Sequence, residues 1–221
     1  MDDNKFKEKS LSSIKTQSSE IYSSKFISVR DICYISMFVA IISICAQIQI
    51  PMPFGVPLTM QTFTIMLAGI VLGIKKGVIA VIVYVLLGAF GVPVFSSFSG
   101  GLGIIFGKTG GFILSFPLLT LISGIGMQKI NKFNKINKFN KINDFERFNY
   151  NRVWLAFWLT FGASVNFACG VLMFSFVTSM PLAISFGYAA APFIPTEIIK
   201  IIILTIVGGK IKKRVTGGVP F

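Results

Sequence analysis

Six apolar segments, separated by short polar or glycine-rich connections, dominate the hydrophobic pattern of this chain. They cover residues 32–50, 58–74, 77–92, 109–127, 153–178 and 186–209. A helix needs about 20 apolar residues, within a range of about 17 to 25, to cross a bilayer. The second and third segments are short and only Lys75 and Lys76 separate them, which predicts a tight hairpin. The pattern predicts an all-α polytopic membrane protein with six transmembrane helices.

The positions of the basic residues indicate how these helices are oriented. Nineteen of the 21 precede the first segment or lie at 75–76, 129–152 and 210–214. With six helices, all of these positions fall on one side of the membrane, and Lys108 lies on the other. Because cytoplasmic loops carry an excess of Lys and Arg, both termini are predicted to be cytoplasmic.

Composition supports the membrane assignment and narrows the function. Hydrophobic residues make up 53% of the 221 residues and charged residues 13%, with a mean hydropathy of +0.77. A soluble domain carries about 25% charged residues. A net charge of +13 can indicate nucleic-acid binding, but the location of the charges argues against it here. Since the charges flank the apolar segments, we expect no nucleic-acid partner.

We predict one membrane domain over residues 32–210, with a polar cytoplasmic tail at 1–31 and a basic cytoplasmic tail at 211–221. The first thirty residues are polar and of mixed charge, unlike a cleavable signal peptide, so the first apolar segment is expected to remain as a helix. Residues 129–146 repeat the hexads KINKFN, KINKFN and KINDFE. A period of six fits neither helix nor strand, which predicts a low-complexity cytoplasmic loop at 129–152. A basic patch against lipid headgroups is the alternative.

The residue types present limit the chemistry that the chain can perform. It contains no histidine, which is the commonest metal ligand and general acid–base. Cys33, Cys45 and Cys169 lie within apolar segments without CxxC spacing, so we interpret them as reduced and buried. We expect no metal, no cofactor and no catalytic residues.

One charged pair lies inside the last apolar segment. Residues 191–207 read APFIPTEIIKIIILTIV, and Pro192 and Pro195 limit the helix to a short stretch. Glu197 and Lys200 are three residues apart, which places them on one face of that helix, close enough to pair. Charges within a membrane segment are costly and indicate a binding site or a pathway. The alternative is a charge-capped helix start, with Glu197 favoured by the helix dipole and Lys200 solvated.

The loops on the predicted outer face are rich in Gly, Pro and aromatic residues. They cover residues 51–57, 92–112 and 180–195. Irregular backbone at membrane depth is tolerated only where it is buried in protein or lines a cavity. Binding sites are commonly built from loops on a rigid scaffold, so we expect a site that opens outward.

The sequence GKTGG at 107–111 is similar to a phosphate-binding loop, but Leu102 occupies a position where that motif requires glycine. We interpret the stretch as a glycine-rich turn that opens the fourth helix. Its backbone N–H groups, with Lys108 beside them, are suited to hold a ligand carboxylate. Plain loop geometry explains any single glycine equally well.

Small residues form a strip on the first helix. Ser36, Ala40 and Ser43 lie on one face, and the first two have small-xxx-small spacing. Small residues allow helices to pack closely in lipid. The partner is either another helix of this chain or a separate protein.

Three stretches, in this order and spacing, resemble the BioY family. They are MPFGVPLTMQTFTIMLAGIVLG, PVFSSFSGGLGIIFGKTGGF and PFIPTEIIK, and the resemblance covers residues 32–210 without the hexad repeat. BioY proteins are the biotin-binding S components of energy-coupling factor (ECF) transporters. The resemblance implies a six-helix subunit among the lipids of the cell membrane that captures biotin from outside. It implies a transmembrane coupling protein and two cytosolic ATPases as partners, with Ser36 and Ala40 docked on the coupling protein and Ser43 extending that strip.

The resemblance further implies a biotin site. Glu197 would accept hydrogen bonds from the ureido N–H groups, and Lys200 would donate to the ureido carbonyl or keep Glu197 ionised. The other candidates are Phe95, Phe98 and Phe112 against the apolar rings, Lys108, Thr109, Gly110 and Gly111 at the carboxylate, and Gln61 and Asn166 as polar residues of the second and fifth helices.

Two motifs depart from the family pattern. Thr196 and Glu197 replace the usual Gly-Asp after proline, while Lys108 and Phe112 replace the usual Pro and Tyr. The longer carboxylate side chain changes the ligand geometry, and the phenylalanine removes one hydroxyl hydrogen bond. The alternatives are an S component for another small vitamin, a membrane-embedded enzyme and a passive channel.

Overall fold

The computed structural model describes residues 28–52, 55–136 and 144–215, which are mostly helical. The α-helices are α1 (Val29–Gln47), α2 (Gln61–Ala89), α3 (Leu102–Ile105), α4 (Gly110–Ile136), α5 (Asp144–Thr178), α6 (Leu182–Ala189) and α7 (Ile194–Val215). Short 3₁₀ turns at Ser96–Phe98 and Ala191–Phe193 precede α3 and α7. Strands β1 (Gln49–Ile50) and β2 (Leu58–Thr59) pair antiparallel between α1 and α2.

Five stretches of the described chain are long and apolar enough to cross a membrane. They are Val29–Gln47, Gln61–Ala89, Gly110–Asn134, Tyr150–Thr178 and Leu182–Gly208. The second of them folds back on itself, so each of the six predicted apolar segments lies mainly in a helix. The all-α polytopic fold is confirmed, whereas the cytoplasmic location of the termini stays a prediction.

The reversal within α2 takes place at Gly73, whose φ of 78° and ψ of −176° are not helical. The amide nitrogen of Gln61 donates a hydrogen bond to the Tyr84 hydroxyl at 2.5 Å, although 23 residues separate them. A straight helix would hold those residues about 35 Å apart. The arms 61–72 and 74–89 are therefore antiparallel, which confirms the predicted hairpin. The turn lies just before the paired lysines rather than at them.

Helix α4 packs against both α2 and α5, and glycines determine how closely. A Cβ atom at Gly69 of α2 would lie 2.4 Å from the carbonyl oxygen of Thr120. One at Gly126 of α4 would lie 2.6 Å from Cβ of Trp158 in α5. Such close approach is typical of membrane helices, where small residues let backbones meet. The largest fully buried apolar side chains include Ile42, Ile65, Met66, Ile70, Leu119, Leu159 and Leu204.

The helices at the two ends of the predicted membrane domain extend beyond its predicted limits of residues 32 and 210. The chain divides after Cys33 into two units. The described part of the first unit, residues 28–33, begins α1, and the N–H groups of Asp31 and Ile32 donate to the Ser28 carbonyl. Helix α1 thus starts before the predicted first segment, and α7 continues past residue 210 to Val215. The remaining tail residues lie outside the described ranges.

The cysteine prediction is half right. Cys33, Cys45 and Cys169 are free thiols, as expected. They are not buried, however, because Cys33 is exposed and the other two are half-buried. Each lies on a helix that turns part of its surface away from the protein core, and an apolar sequence does not reveal which face that is.

The predicted loop at 129–152 is wrong over its described residues. Helix α4 continues to Ile136 and α5 begins at Asp144, while residues 137–143 lie outside the described ranges. Ile130 is buried, and the Phe133 ring stacks on Tyr150 with centroids 4.3 Å apart. The hexads place an apolar residue at every third position, which is close enough to the helical period to keep two of them on one face.

We expect Gly69→Ala to destabilise the fold, because its methyl group would collide with the backbone of α4. Overpacking of this kind costs about 1 to 3 kcal/mol of the free energy of unfolding. Gly187→Ala is the matched control, since it lies within α6 and a Cβ there meets no heavy atom within 4 Å. Thermal unfolding in detergent should show a lower midpoint for Gly69→Ala alone. Equal midpoints in the two variants would contradict the close approach of α2 and α4.

Candidate ligand-binding site

Several separate parts of the chain meet at one small internal space, here called the central cavity. They are β2 with the residues before it, the starts of α2, α4 and α7, the turn at residues 95–96, and the middle of α5. The volume is about 60 Å³. The lining residues are Val56, Pro57, Thr59, Gln61, Thr62, Phe95, Ser96, Thr109, Phe112, Ile113, Phe116, Asn166, Phe167, Phe193, Glu197 and Lys200.

The charged pair of α7 lies in the wall of this cavity. Glu197 and Lys200 are only 5% and 6% exposed. The Lys200 ammonium donates to Glu197 Oε2 at 3.2 Å, to the Thr62 hydroxyl at 2.8 Å and to the Thr59 carbonyl at 2.8 Å. The Thr62 hydroxyl in turn donates to Glu197 Oε2 at 3.1 Å. Each proton of the ammonium therefore has an acceptor, which offsets the cost of burying the charge.

One oxygen of the Glu197 carboxylate is not used by these contacts. Glu197 Oε1 is buried and has no hydrogen-bond partner within the described part of the chain. A carboxylate accepts hydrogen bonds at both oxygens, and leaving one buried and unsatisfied is costly. Glu197 is thus equipped to accept from a donor that enters the cavity.

The sequence explains why this pair forms. Glu197 lies in the first turn of α7, where the helix dipole favours an acidic residue. Lys200 follows one turn later on the same face, so it reaches both the carboxylate and the strand residue Thr59. The two interpretations of the motif are therefore compatible: the carboxylate occupies a favourable helix start, and the lysine is buried beside it rather than solvated.

Two amide side chains are held in fixed orientations at the cavity. Asn166 Nδ2 donates to the Phe112 carbonyl at 3.1 Å and to the Ser115 hydroxyl at 2.7 Å. Gln61 donates to the Tyr84 hydroxyl, which donates to the Val94 carbonyl at 3.0 Å. These nitrogens therefore already have protein partners: Asn166 connects α5 to α4, and Gln61 connects the two arms of α2.

Aromatic rings form its apolar wall. Phe95 is almost fully buried and meets Tyr84 edge to face, with centroids 5.6 Å apart. Phe112 meets Phe167 in the same manner at 6.3 Å. The cavity lining contains seven of the predicted site residues, namely Gln61, Phe95, Thr109, Phe112, Asn166, Glu197 and Lys200. Their role in binding stays a prediction.

Four predicted site residues do not line the cavity. Phe98 is 73% exposed and sits in a turn with a φ of 51°, which directs it away from the core. Lys108 is exposed and lies beside Gly55. A Cβ at Gly110 or Gly111 would collide with a carbonyl oxygen of α3 or α5, at 1.7 Å and 2.4 Å. These glycines permit close packing at the start of α4, and the turn they open is where it was predicted.

The small-residue strip of α1 has a mixed environment. Ser36 and Ala40 are exposed, whereas Ser43 is half-buried and its hydroxyl donates to the Val39 carbonyl at 2.9 Å. The exposure of the first two positions favours an external surface over packing against another helix of this chain.

Several residues that line the cavity were not predicted from the sequence. Thr59 and Thr62 hold the lysine, while Phe167 and Phe193 complete the wall. The threonines belong to the motif VPLTMQT, and a hydroxyl in an apolar helix that faces a charged helix is the signal that could have identified Thr62. The contact made by the Thr59 carbonyl has no side-chain signature.

An apolar groove adjoins the central cavity. It has a volume of about 660 Å³ between α5, α6 and α7, and its lining is almost wholly apolar. Glu197 and Phe167 border both spaces and so form the partition between them. Of these two adjoining spaces, polar groups converge on the central cavity, and for that reason it is the candidate binding site.

Comparison with known proteins agrees with this architecture. The biotin transporter BioY of Thermotoga maritima is 32% identical over 186 residues, which cover 84% of this chain and 97% of that protein. The "Probable biotin transporter BioY" of Pyrococcus horikoshii is 46% identical over 101 residues, but these span 46% of this chain and 62% of that protein. A crystal structure of the S-component for biotin from an ECF-type ABC transporter matches with a TM-score of 0.69 and 27% identity.

The structural match covers 84% of this chain and 92% of that one. Residues 15–217 match the BioY family. That range contains nearly the whole chain and every residue of the candidate site. This chain is therefore a member of the BioY family.

Proposed function

We propose that this chain is the biotin-capture subunit, or S component, of an ECF-type transporter in the cell membrane. The names of its relatives and of the matching structure favour biotin over another vitamin. The observation that carries the proposal is the buried Glu197–Lys200 pair in the wall of the central cavity. Charges inside a membrane protein are costly, so a retained pair indicates a binding site or a pathway.

The chemistry of biotin fits this pair. Its ureido ring offers two N–H donors and one carbonyl acceptor. Glu197 Oε1 is free to accept from a ureido N–H group without breaking an existing contact. Lys200 already donates to three acceptors, so it would exchange one of them for the ureido carbonyl or keep Glu197 charged. Hydrogen bonds to charged groups are the stronger kind, which favours tight binding.

Ligand entry must widen the cavity. Sites for small molecules usually measure about 300 to 1,000 Å³, well above the 60 Å³ of the central cavity. Phe167 lies between the cavity and the apolar groove and packs against Phe112, so movement of the Phe167 ring would join the two spaces. The apolar thioether ring and valerate chain of biotin suit such walls.

The proposed partners follow from the same assignment. A coupling protein in the membrane and two cytosolic ATPases would drive delivery, and the exposed strip of Ser36 and Ala40 would dock on the coupling protein. With the termini in the cytoplasm, the central cavity would open outward. We propose capture rather than catalysis, because the chain has no histidine to act as acid or base and the buried charges pair with each other.

The proposal is tested by binding of labelled biotin to the purified chain in detergent, without other subunits. Saturable binding in equal molar amount, displaced by unlabelled biotin and not by thiamine or riboflavin, is expected. Displacement by another vitamin at lower concentration would transfer the assignment to that ligand. Absence of saturable binding in folded protein would exclude a capture subunit that acts by itself.

We expect Glu197→Gln and Lys200→Ala each to weaken biotin binding at least tenfold, since each removes a charged partner worth about 1.5 to 3 kcal/mol. Dissociation constants from equilibrium binding provide the measurement. Lys132→Ala is the control, because that lysine is exposed at the far end of α4. Wild-type affinity in both site variants would show that the pair only stabilises the start of α7 and does not bind the ligand.

We expect Ala40→Trp to abolish biotin uptake in cells while biotin affinity stays near wild type. Ala40 is exposed, so the larger side chain would block helix docking without disturbing the core. Copurification with the coupling protein should also fall, whereas Ala40→Ser should behave as wild type. Unchanged uptake would place the docking surface elsewhere, and loss of binding together with uptake would show that the strip packs internally.

A further inference from the structure

A second cavity lies at the opposite end of the helices from the central cavity. It has a volume of about 310 Å³ and is here called the basic cleft. The turn of the α2 hairpin, the α4 residues Gln128 and Asn131, and Lys212 of α7 line it. Lys212 follows Lys200 by about 18 Å along α7, so the two cavities are well separated.

Positive charge converges on the cleft from two helices. Lys75 and Lys76 reach it from the α2 hairpin and Lys212 from α7, and none of the described lining residues is acidic. The amides of Gln128 and Asn131 add hydrogen-bond donors. Burial lowers the pKa of Lys212, because desolvation penalises its charged form.

Glycines shape the cleft. Gly73 breaks α2, so the end of its first arm and the start of its second arm, at Ile74, meet there with opposed dipoles, and the positive charge of the cleft comes from the lysines. A Cβ at Gly124 would lie 3.1 Å from the Ile74 nitrogen, which shows how closely α4 approaches this helix start. Because Gly124 has no side chain, the turn of α2 and the amides of α4 come close enough to line the same cavity.

The depth of the cleft relative to the apolar spans points to a lipid. The candidate span Leu182–Gly208 ends just before Lys212, and Gly110–Asn134 ends just after Asn131. The lysines thus lie where the apolar surface ends, at the level of phospholipid headgroups. Leu72 and Ile74 provide an apolar edge to the cleft. Basic pockets between membrane helices at this depth bind anionic headgroups.

We propose that the basic cleft binds the phosphate of an anionic phospholipid, held by the ammonium groups of Lys75, Lys76 and Lys212. The amides of Gln128 and Asn131 complete the donor set, and the acyl chains extend along the apolar surface beyond the cleft. The lipid would fasten the α2 hairpin to α4 and α7. This site is independent of biotin binding, so failure of one proposal leaves the other intact.

The test measures lipid retention by native mass spectrometry after purification from vesicles of phosphatidylcholine with phosphatidylglycerol. Wild-type protein should retain phosphatidylglycerol in preference to phosphatidylcholine. Lys76→Gln combined with Lys212→Gln should weaken retention roughly tenfold, since each lysine near an anionic headgroup contributes to the binding free energy. Lys129→Gln combined with Lys132→Gln removes the same charge near the same end of α4 and should leave retention unchanged.

Lys212→Arg keeps the charge and should keep the lipid, which separates electrostatic binding from a folding defect. Equal retention in wild type and in the Lys76/Lys212 variant would overturn the proposal. Displacement of the lipid by inorganic phosphate would show a site for free phosphate instead. Unchanged lipid retention with weaker copurification of the coupling protein would reassign the cleft to a protein partner.

Discussion

The burial of one ion pair in an apolar helical protein is the constraint on which the candidate site depends. Two charges without water are stable only when neighbouring groups satisfy them. Here the Lys200 ammonium has three acceptors, which come from α7, α2 and β2. The short strands therefore have a function beyond connecting helices, because their pairing fixes the Thr59 carbonyl beside the lysine. Glu197 Oε1 is left without a partner in the described part of the chain, so in the proposed function the same pair would serve both stability and recognition.

The α2 hairpin connects the two ends of the protein. Its first arm carries Thr62 to the central cavity, and its turn carries Lys75 and Lys76 to the basic cleft. The reversal depends on Gly73 because a φ of 78° is unfavourable for residues with a side chain. Close contact with α4 then holds both arms. In this multi-pass member of the BioY family, one folded element thus contributes to both the central cavity and the basic cleft.

Sequence patterns predicted the helices and the central charged pair, since hydrophobic length and i, i+3 spacing are local properties. They could not predict contacts that depend on backbone position, such as the Thr59 carbonyl with Lys200. The family resemblance assigned Phe98 to the apolar rings of the ligand, yet the left-handed conformation of its turn exposes it. Gly110 and Gly111 were assigned to a ligand, although their first requirement is close helix packing. The exposure of Ser36 and Ala40 on the first helix also emerged only in three dimensions.

The most direct test of the account compares biotin with biotin methylated at one ureido nitrogen, in wild-type protein and in Glu197→Gln. Methylation removes an N–H donor, and a hydrogen bond to a charged group is worth about 1.5 to 3 kcal/mol. If Glu197 accepts from that ring, the dissociation constant of the wild type should rise at least tenfold on methylation. The variant should lose most of that difference. An equal effect of methylation in both proteins would place the ureido ring away from Glu197 and contradict the account.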